Sequence, residues 1–214
     1  MNLALADSTF PRGFLDFLQV SQGRRHRVGT YEIERPRLER FNLALRELSP
    51  DAPRLTLDQI ASAAQRALLR HADGSTPSFV VSRMAALARL EAMVDDAGWT
   101  ATTDVRRQVS VLQAYRHDEY DLIPDSEPVI GLLDDAVLVD VALQLLGSEL
   151  ADYEDFCRFR RVAAEFAGLP ESGVALTRAH WLEAMLQAHS SLGRQRGSPH
   201  RYAPDPRASL FHIA

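Results

Sequence analysis

Two acidic clusters with an interleaved proline pattern hold the residues most able to do chemistry: Asp121-Leu-Ile-Pro-Asp125, then Pro128-Val-Ile-Gly131, then Asp134-Asp135. Four aspartates within fifteen positions offer hard oxygen ligands of the kind Mg²⁺ or Ca²⁺ prefers, and a proline-stiffened turn could preset them. Asp121, Asp125, Asp134 and Asp135 form that candidate metal set, with His117 or Glu119 as additional ligands. The spacing matches no established cation loop such as the EF-hand. The same residues with Pro124, Pro128 and Gly131 also make a candidate structural or binding segment.

Other chemistry is sparse. His180 and His189 are nine residues apart on one expected helix, about two and a half turns, so they point to opposite sides and cannot share a metal. His71 falls on an apolar stripe and reads as a core or boundary histidine. Cys157 is the only cysteine, which excludes an intramolecular disulfide and a cysteine zinc site, and its Phe156 and Phe159 neighbours suggest a buried, inert thiol. There is no G-x-S-x-G, no phosphate-binding glycine loop and no H-E-x-x-H. Catalytic residues are therefore assigned to none, and the balance of the sequence points away from an enzyme.

The 214 residues carry a net charge of -5, and all 24 basic residues are arginine. Every cation is thus a planar fork suited to carboxylates, and no lysine is present for Schiff-base chemistry. The negative charge argues against wholesale nucleic-acid binding. Arg24-Arg-His-Arg27 and Arg158-Phe-Arg-Arg161 are the two basic stretches that could contact nucleic acid, against salt bridging to the many Asp and Glu residues. The first residues lack a basic start and a long apolar run, so no signal peptide is expected and the cytoplasm is the expected compartment.

Helical periodicity dominates the elements that must position these groups. Pro36 opens a stripe of Leu38, Phe41, Leu45 and Leu48; Thr56 and Gln59 form a capping box ahead of Ile60, Ala64 and Leu68. Thr76-Pro77 starts a helix with Val80, Met84, Leu87, Leu90 and Val94, and Thr102 or Thr103 caps one with Val105, Val109, Leu112 and Tyr115. Three further stretches follow near 129–146, 149–167 and 174–192, separated at Gly147-Ser148 and Gly168-Leu-Pro170. The expected fold is all-α, a single bundle-like domain of about seven helices over 36–192. Residues 1–35 are an irregular extension, with a short helix at Phe14–Leu18 and an extended Tyr31–Ile33; residues 193–214 are an expected flexible tail ending in apolar Leu210-Phe-His-Ile213.

With its nine fixed positions, the pattern D-L-I-P-D-x-x-P-x-x-G-x-x-D-D resembles the signature of the YkvA-like family of bacterial domains of unknown function, over about residues 114–147. The resemblance implies a helical domain and no activity. Some members look membrane-associated, but Ser126 and Glu127 stand where that family is usually apolar. Magnitudes decide against insertion of residues 128–147: Asp134, Asp135 and Asp140 would together cost roughly 7.5–10.5 kcal/mol in a bilayer, while the eleven Leu, Ile and Val residues return roughly 3–7.

On a helix started at Pro128, Asp140 and Gln144 share the solvent arc, whereas Asp134 and Asp135 share an arc with Leu138, Val141, Ala142, Leu145 and Leu146. Four readings follow. The helix starts near Asp134 and the pair caps it; or the pair is buried and satisfied by backbone N–H groups of the Asp121–Asp125 turn and by arginines, with Arg116, Arg158, Arg160 and Arg161 nearest in sequence; or the acids bind a divalent cation; or they form a polar patch for another protein. The overall expectation is a non-enzymatic interaction or regulatory protein with an unidentified protein partner and no required cofactor. A divalent-metal enzyme and an arginine-mediated nucleic-acid binder are the alternatives, and the oligomeric state is left open.

Overall fold

The structure, a computed structural model, describes residues 27–28 and 31–197, with the backbone alone at His189 and over 191–197. The expected helix at Phe14–Leu18, most of the basic Arg24–Arg27 loop and the apolar end of the tail lie outside the described residues.

A hairpin of β1 (Arg27–Val28) and β2 (Tyr31–Glu32) pairs antiparallel and precedes six α-helices. These are α1 (Arg35–Leu48), α2 (Leu57–Arg70), α3 (Ser78–Asp95), α4 (Thr103–Arg116), α5 (Leu133–Ala167) and α6 (Arg178–Gly197), with a 3₁₀ turn at Glu171–Gly173. All-α holds as the class. Among the described residues the count is six rather than seven, because the two stretches expected on either side of Gly147-Ser148 form one 35-residue helix. A helical glycine costs about 1 kcal/mol relative to alanine, too little to break a helix whose buried side runs through Leu146 and Leu150.

Local signals position the first four helices as their sequences imply. Pro36 sits in the first turn of α1, where a missing N–H costs nothing. Thr56 accepts from the Gln59 amide while the Gln59 side chain accepts from the Thr56 amide, a complete capping box. Thr102 caps α4 by accepting from Val105 N. Pro77 precedes α3.

Helix α5 packs along α3 and against α4 and α1, so it forms the axis of the molecule. Leu138, Val141 and Ala142 of α5 join Leu87, Leu90 and Met93 of α3 and Val109 and Leu112 of α4 in one apolar core. A second aromatic focus sits further along α5, where Trp99, Tyr153, Phe156 and Trp181 pack with ring centroids 5.5–5.6 Å from Trp99. Among the described residues, no helix is long and apolar enough to cross a membrane.

Candidate functional site

The segment between α4 and α5 decides where the acidic residues go. It folds as consecutive turns: Asp121 N donates to Asp118 O, Glu127 N to Pro124 O, and Gly131 N to Glu127 O. Leu122, Ile123 and Ile130 are driven into the core. Gly131 is required by close approach, since a Cβ there would lie 2.4 Å from the Asp125 carbonyl oxygen. Val129 takes φ +71°, a conformation a β-branched residue rarely adopts. Together these wind the chain so tightly that α5 starts at Leu133, not at Pro128 as its apolar run suggests.

This later start moves Asp134 and Asp135 into the first helical turn, where the helix dipole favours negative charge. They do not act as exposed caps, however. Each is 3 % exposed. Oδ2 of Asp134 accepts from the Tyr115 hydroxyl at 2.6 Å and from the backbone amides of Leu122 at 3.0 Å and Ile123 at 3.2 Å. The two readings that seemed exclusive are each half right: the pair lies in the first turn and is buried, with Asp134 satisfied by the expected turn amides. Its Oδ1 and the Oδ2 of Asp135 are buried without a hydrogen-bond partner.

The arginines expected to satisfy the pair are engaged elsewhere. Arg158 pairs with Asp155, Arg160 with Asp96 and Arg161 with Glu171. Arg116 acts on Asp135 only through its charge. Arg37 of α1 donates to the carbonyl of Asp121 at 2.8 Å and lies 3.4 Å from its Oδ1. Tyr31 of β2 donates to the Leu122 carbonyl at 2.9 Å. Tyr31, Arg37 and Tyr115 were missed as site residues; Tyr115 shows in the sequence only as one position of an apolar stripe.

Burial raises the protonation range of these acids. It pushes Asp121 up to about 6, with the Asp125 charge adding and Arg37 opposing. Asp135 is pushed up to about 7 by burial first, then by Asp125, with Arg116 opposing. Asp134 is pushed well above the ordinary carboxylate range by burial and by Asp135, against the Tyr115 hydrogen bond. Tyr115 is raised strongly in turn, by burial and by the carboxylate beside it.

The candidate residues do not all converge. Asp121, Asp134 and Asp135 are buried, whereas Asp125 and Pro128 are exposed and Pro124 is half-buried. Asp125 and Gly131 instead help line a shallow surface depression of about 300 Å³ with Glu127 and Val129. Among the described residues, no three His, Cys, Asp or Glu side chains are grouped so as to hold a metal ion. Asp140, assigned to the solvent arc, is buried, its Oδ1 accepting from Arg83 Nε at 2.5 Å. Every residue from Leu133 to Ala142 is buried, so this stretch of α5 has no solvent arc, and Leu145 beyond it is exposed. Cys157 is half-buried rather than buried. His71 ends α2 as its C-cap, 3.0 Å from the Ser75 hydroxyl.

The far half of α5 presents a second candidate surface. Val162 and Phe166 near its end, and Leu169 after it, are 50 %, 91 % and 50 % exposed. Helix α6 is anchored at its start: Arg178 grips Glu149 with two nitrogens at 2.6 and 3.0 Å, and Trp181 is buried. Beyond that turn, Leu182, Met185 and Leu186 all face outward.

Comparison of the chain with protein-family models, curated proteins and solved structures finds no match.

Proposed function

We propose that this chain is a non-catalytic interaction protein that engages a partner polypeptide through α6. The observation that carries the reading is the 20-residue length of α6 combined with the outward placement of Leu182, Met185 and Leu186. Isolated helices of this size are marginal in water, and most of their stability comes from packing an apolar face. The start of α6 is fastened by Arg178 and Trp181. Exposed apolar residues at i, i+3 and i+4 fit the grooves of another helix. Strand addition is a poor alternative, since each strand of the hairpin has two residues. The fitting partner is therefore an amphipathic helix from another polypeptide. The YkvA-like resemblance, carried by the motif alone, is compatible with this reading and adds no activity to it.

The test compares the full chain with Met185→Glu/Leu186→Glu, both at exposed positions, so circular dichroism should be unchanged. Cross-linking in native lysate with each as bait, together with light scattering of the purified proteins, reads the partner. Loss of a cross-link that maps to a helix of another protein supports the proposal. Loss of self-association in the variant would make the partner a second copy. Identical cross-links and an identical mass for both proteins would sink it.

A further inference from the structure

A hollow larger than the depression beside Asp125 lies at the root of α6. Its volume is about 560 Å³, in the range that takes up a small organic molecule. Three pieces of chain build it: Ala97 and Gly98 between α3 and α4, Arg160 of α5, and the connection that leads from the 3₁₀ turn into α6. The first and third are fastened to each other. The Arg178 amide donates to the Gly98 carbonyl at 2.7 Å, and a Cβ on Gly98 would lie 2.8 Å from the Leu176 carbonyl oxygen. The hollow is therefore preformed.

Arg160 is the lining group with donors to spare. Its Nη1 donates to Asp96 Oδ2 at 2.8 Å, and its guanidinium lies 5.1 Å from the centre of the Phe156 ring. Those contacts fix the plane of the fork, while 22 % of the side chain stays accessible. A guanidinium carries more N–H groups than one carboxylate oxygen can use. Nη2 has a 4.0 Å contact with Cys157 Sγ, and Nε donates to no group among the described residues. A fork already held in place loses little freedom on binding. The other polar lining groups are committed or small: Glu171 pairs with Arg161, and Thr177 bonds His180 Nδ1, which leaves the Ser172 hydroxyl. Val174, Ala175 and Leu176 make the rest of that wall apolar.

We propose that this hollow binds a small monocarboxylate with a compact apolar body, its carboxylate on the free edge of Arg160 and its body against Val174 and Leu176. A planar fork matches a carboxylate through two parallel N–H···O bonds. Charge selects a monoanion. The guanidinium can serve Asp96 and one further carboxylate through separate nitrogens. A dianion such as phosphate would bring a second negative charge, and among the described residues Arg160 is the one cation lining the hollow, with Glu171 beside it. The site stands independently of any partner of α6, since its ligand meets the stem of that helix and not Leu182, Met185 or Leu186.

Nitrogen-15 amide shifts of the full chain, titrated with benzoate, test the site. Benzoate should shift the Gly98, Ser172 and Leu176 amides saturably, with a Kd between about 0.1 and about 10 mM. Benzamide, which keeps the shape without the charge, and inorganic phosphate should each bind at least about tenfold more weakly. Arg160→Gln should weaken benzoate about tenfold or more. Because that change also takes a partner from Asp96, Ala175→Trp provides a second variant. It fills the hollow from an exposed lining position, leaves the Arg160–Asp96 pair in place and should abolish the shifts. The proposal is overturned by the absence of saturable shifts up to about 50 mM benzoate, or by benzamide or phosphate binding as tightly. Undiminished benzoate binding by Ala175→Trp, or by a folded Arg160→Gln, would overturn it equally.

Discussion

At the start of α5, Asp134 and Asp135 are buried against a tyrosine hydroxyl, two backbone amides and other acids. Further along the same helix, Glu149 meets a two-pronged contact from Arg178 and the indole N–H of Trp99 at 3.1 Å. Asp96 nearby takes Arg160, the Tyr153 hydroxyl and the Gly98 amide. Both regions set acids beside aromatic rings, but Glu149 and Asp96 are half-buried where Asp134 and Asp135 are buried. The supply of cations separates them further. Arginine forks pair the acids at the aromatic end, while Asp134 and Asp135 meet no guanidinium and burial raises their protonation range.

The largest effect expected from breaking this contrast is Asp134→Ala. It removes the acceptor for three donors, two of them buried amides, and should cost about 3–5 kcal/mol. Glu149→Ala strands a half-buried guanidinium that partial solvent access relieves, and should cost less, about 2–3 kcal/mol. Urea unfolding of the two variants measures both. Equal losses would mean that the cation makes no difference to what a buried acid contributes.

How much of this was readable beforehand follows the range of the interactions. The capping box at Thr56–Gln59, Pro36 in α1 and the Val105–Tyr115 stripe are signals within one or two turns, and each gave the right element. The start of α5 was misplaced because what unwinds 124–132 is non-local to any helical pattern: Gly131 against the Asp125 carbonyl, and Val129 forced left-handed. Asp140 was misassigned for another reason: the wheel assumes a solvent arc, whereas every residue from Leu133 to Ala142 is buried. The inward placement of Asp134 and Asp135, and the turn amides serving Asp134, were legible. The Arg37–Asp121 contact spans 84 residues, and no spacing in the sequence announces it. Proximity in sequence chose Arg158, Arg160 and Arg161, which one continuous helix carries away from the pair.

Titration sharpens the comparison next. Asp135 has a folded-state value of about 7 against an ordinary 3.8, so between about pH 4 and pH 7 the folded chain binds more protons than the unfolded one. Stability should therefore fall as pH rises through that window, by roughly 4 kcal/mol if this group dominates, and level off above it. Asp121 adds in the same direction. Asp135→Asn should flatten the profile and be the more stable protein at about pH 8 by about 2–4 kcal/mol. Glu149→Gln should instead be destabilised by about 1–3 kcal/mol at either end of the same range. Opposite signs from two acid-to-amide changes on one helix are the diagnostic result. A wild-type stability that rises from about pH 4 to pH 7 would refute the reading of the acidic end.

The smallest effect concerns the strain that accompanies the unneutralised pair. Val129 is half-buried at φ +71°, where glycine has no Cβ penalty and a branched side chain does. Val129→Gly relieves that penalty, about 1–2 kcal/mol, but gives back roughly 0.5–1 kcal/mol in unfolded-chain entropy and part of the contact Val129 makes with the core. The net change should be within about 1 kcal/mol of zero, whereas a valine in ordinary extended backbone would lose stability plainly on the same replacement. Thermal unfolding at about pH 5, where the acids are protonated, isolates the backbone from the charge effect. A loss well above 2 kcal/mol there would mean that the side chain, rather than the backbone, dictates the turn. Near-neutrality would leave the carboxyls as what distinguishes this end of α5 from the other.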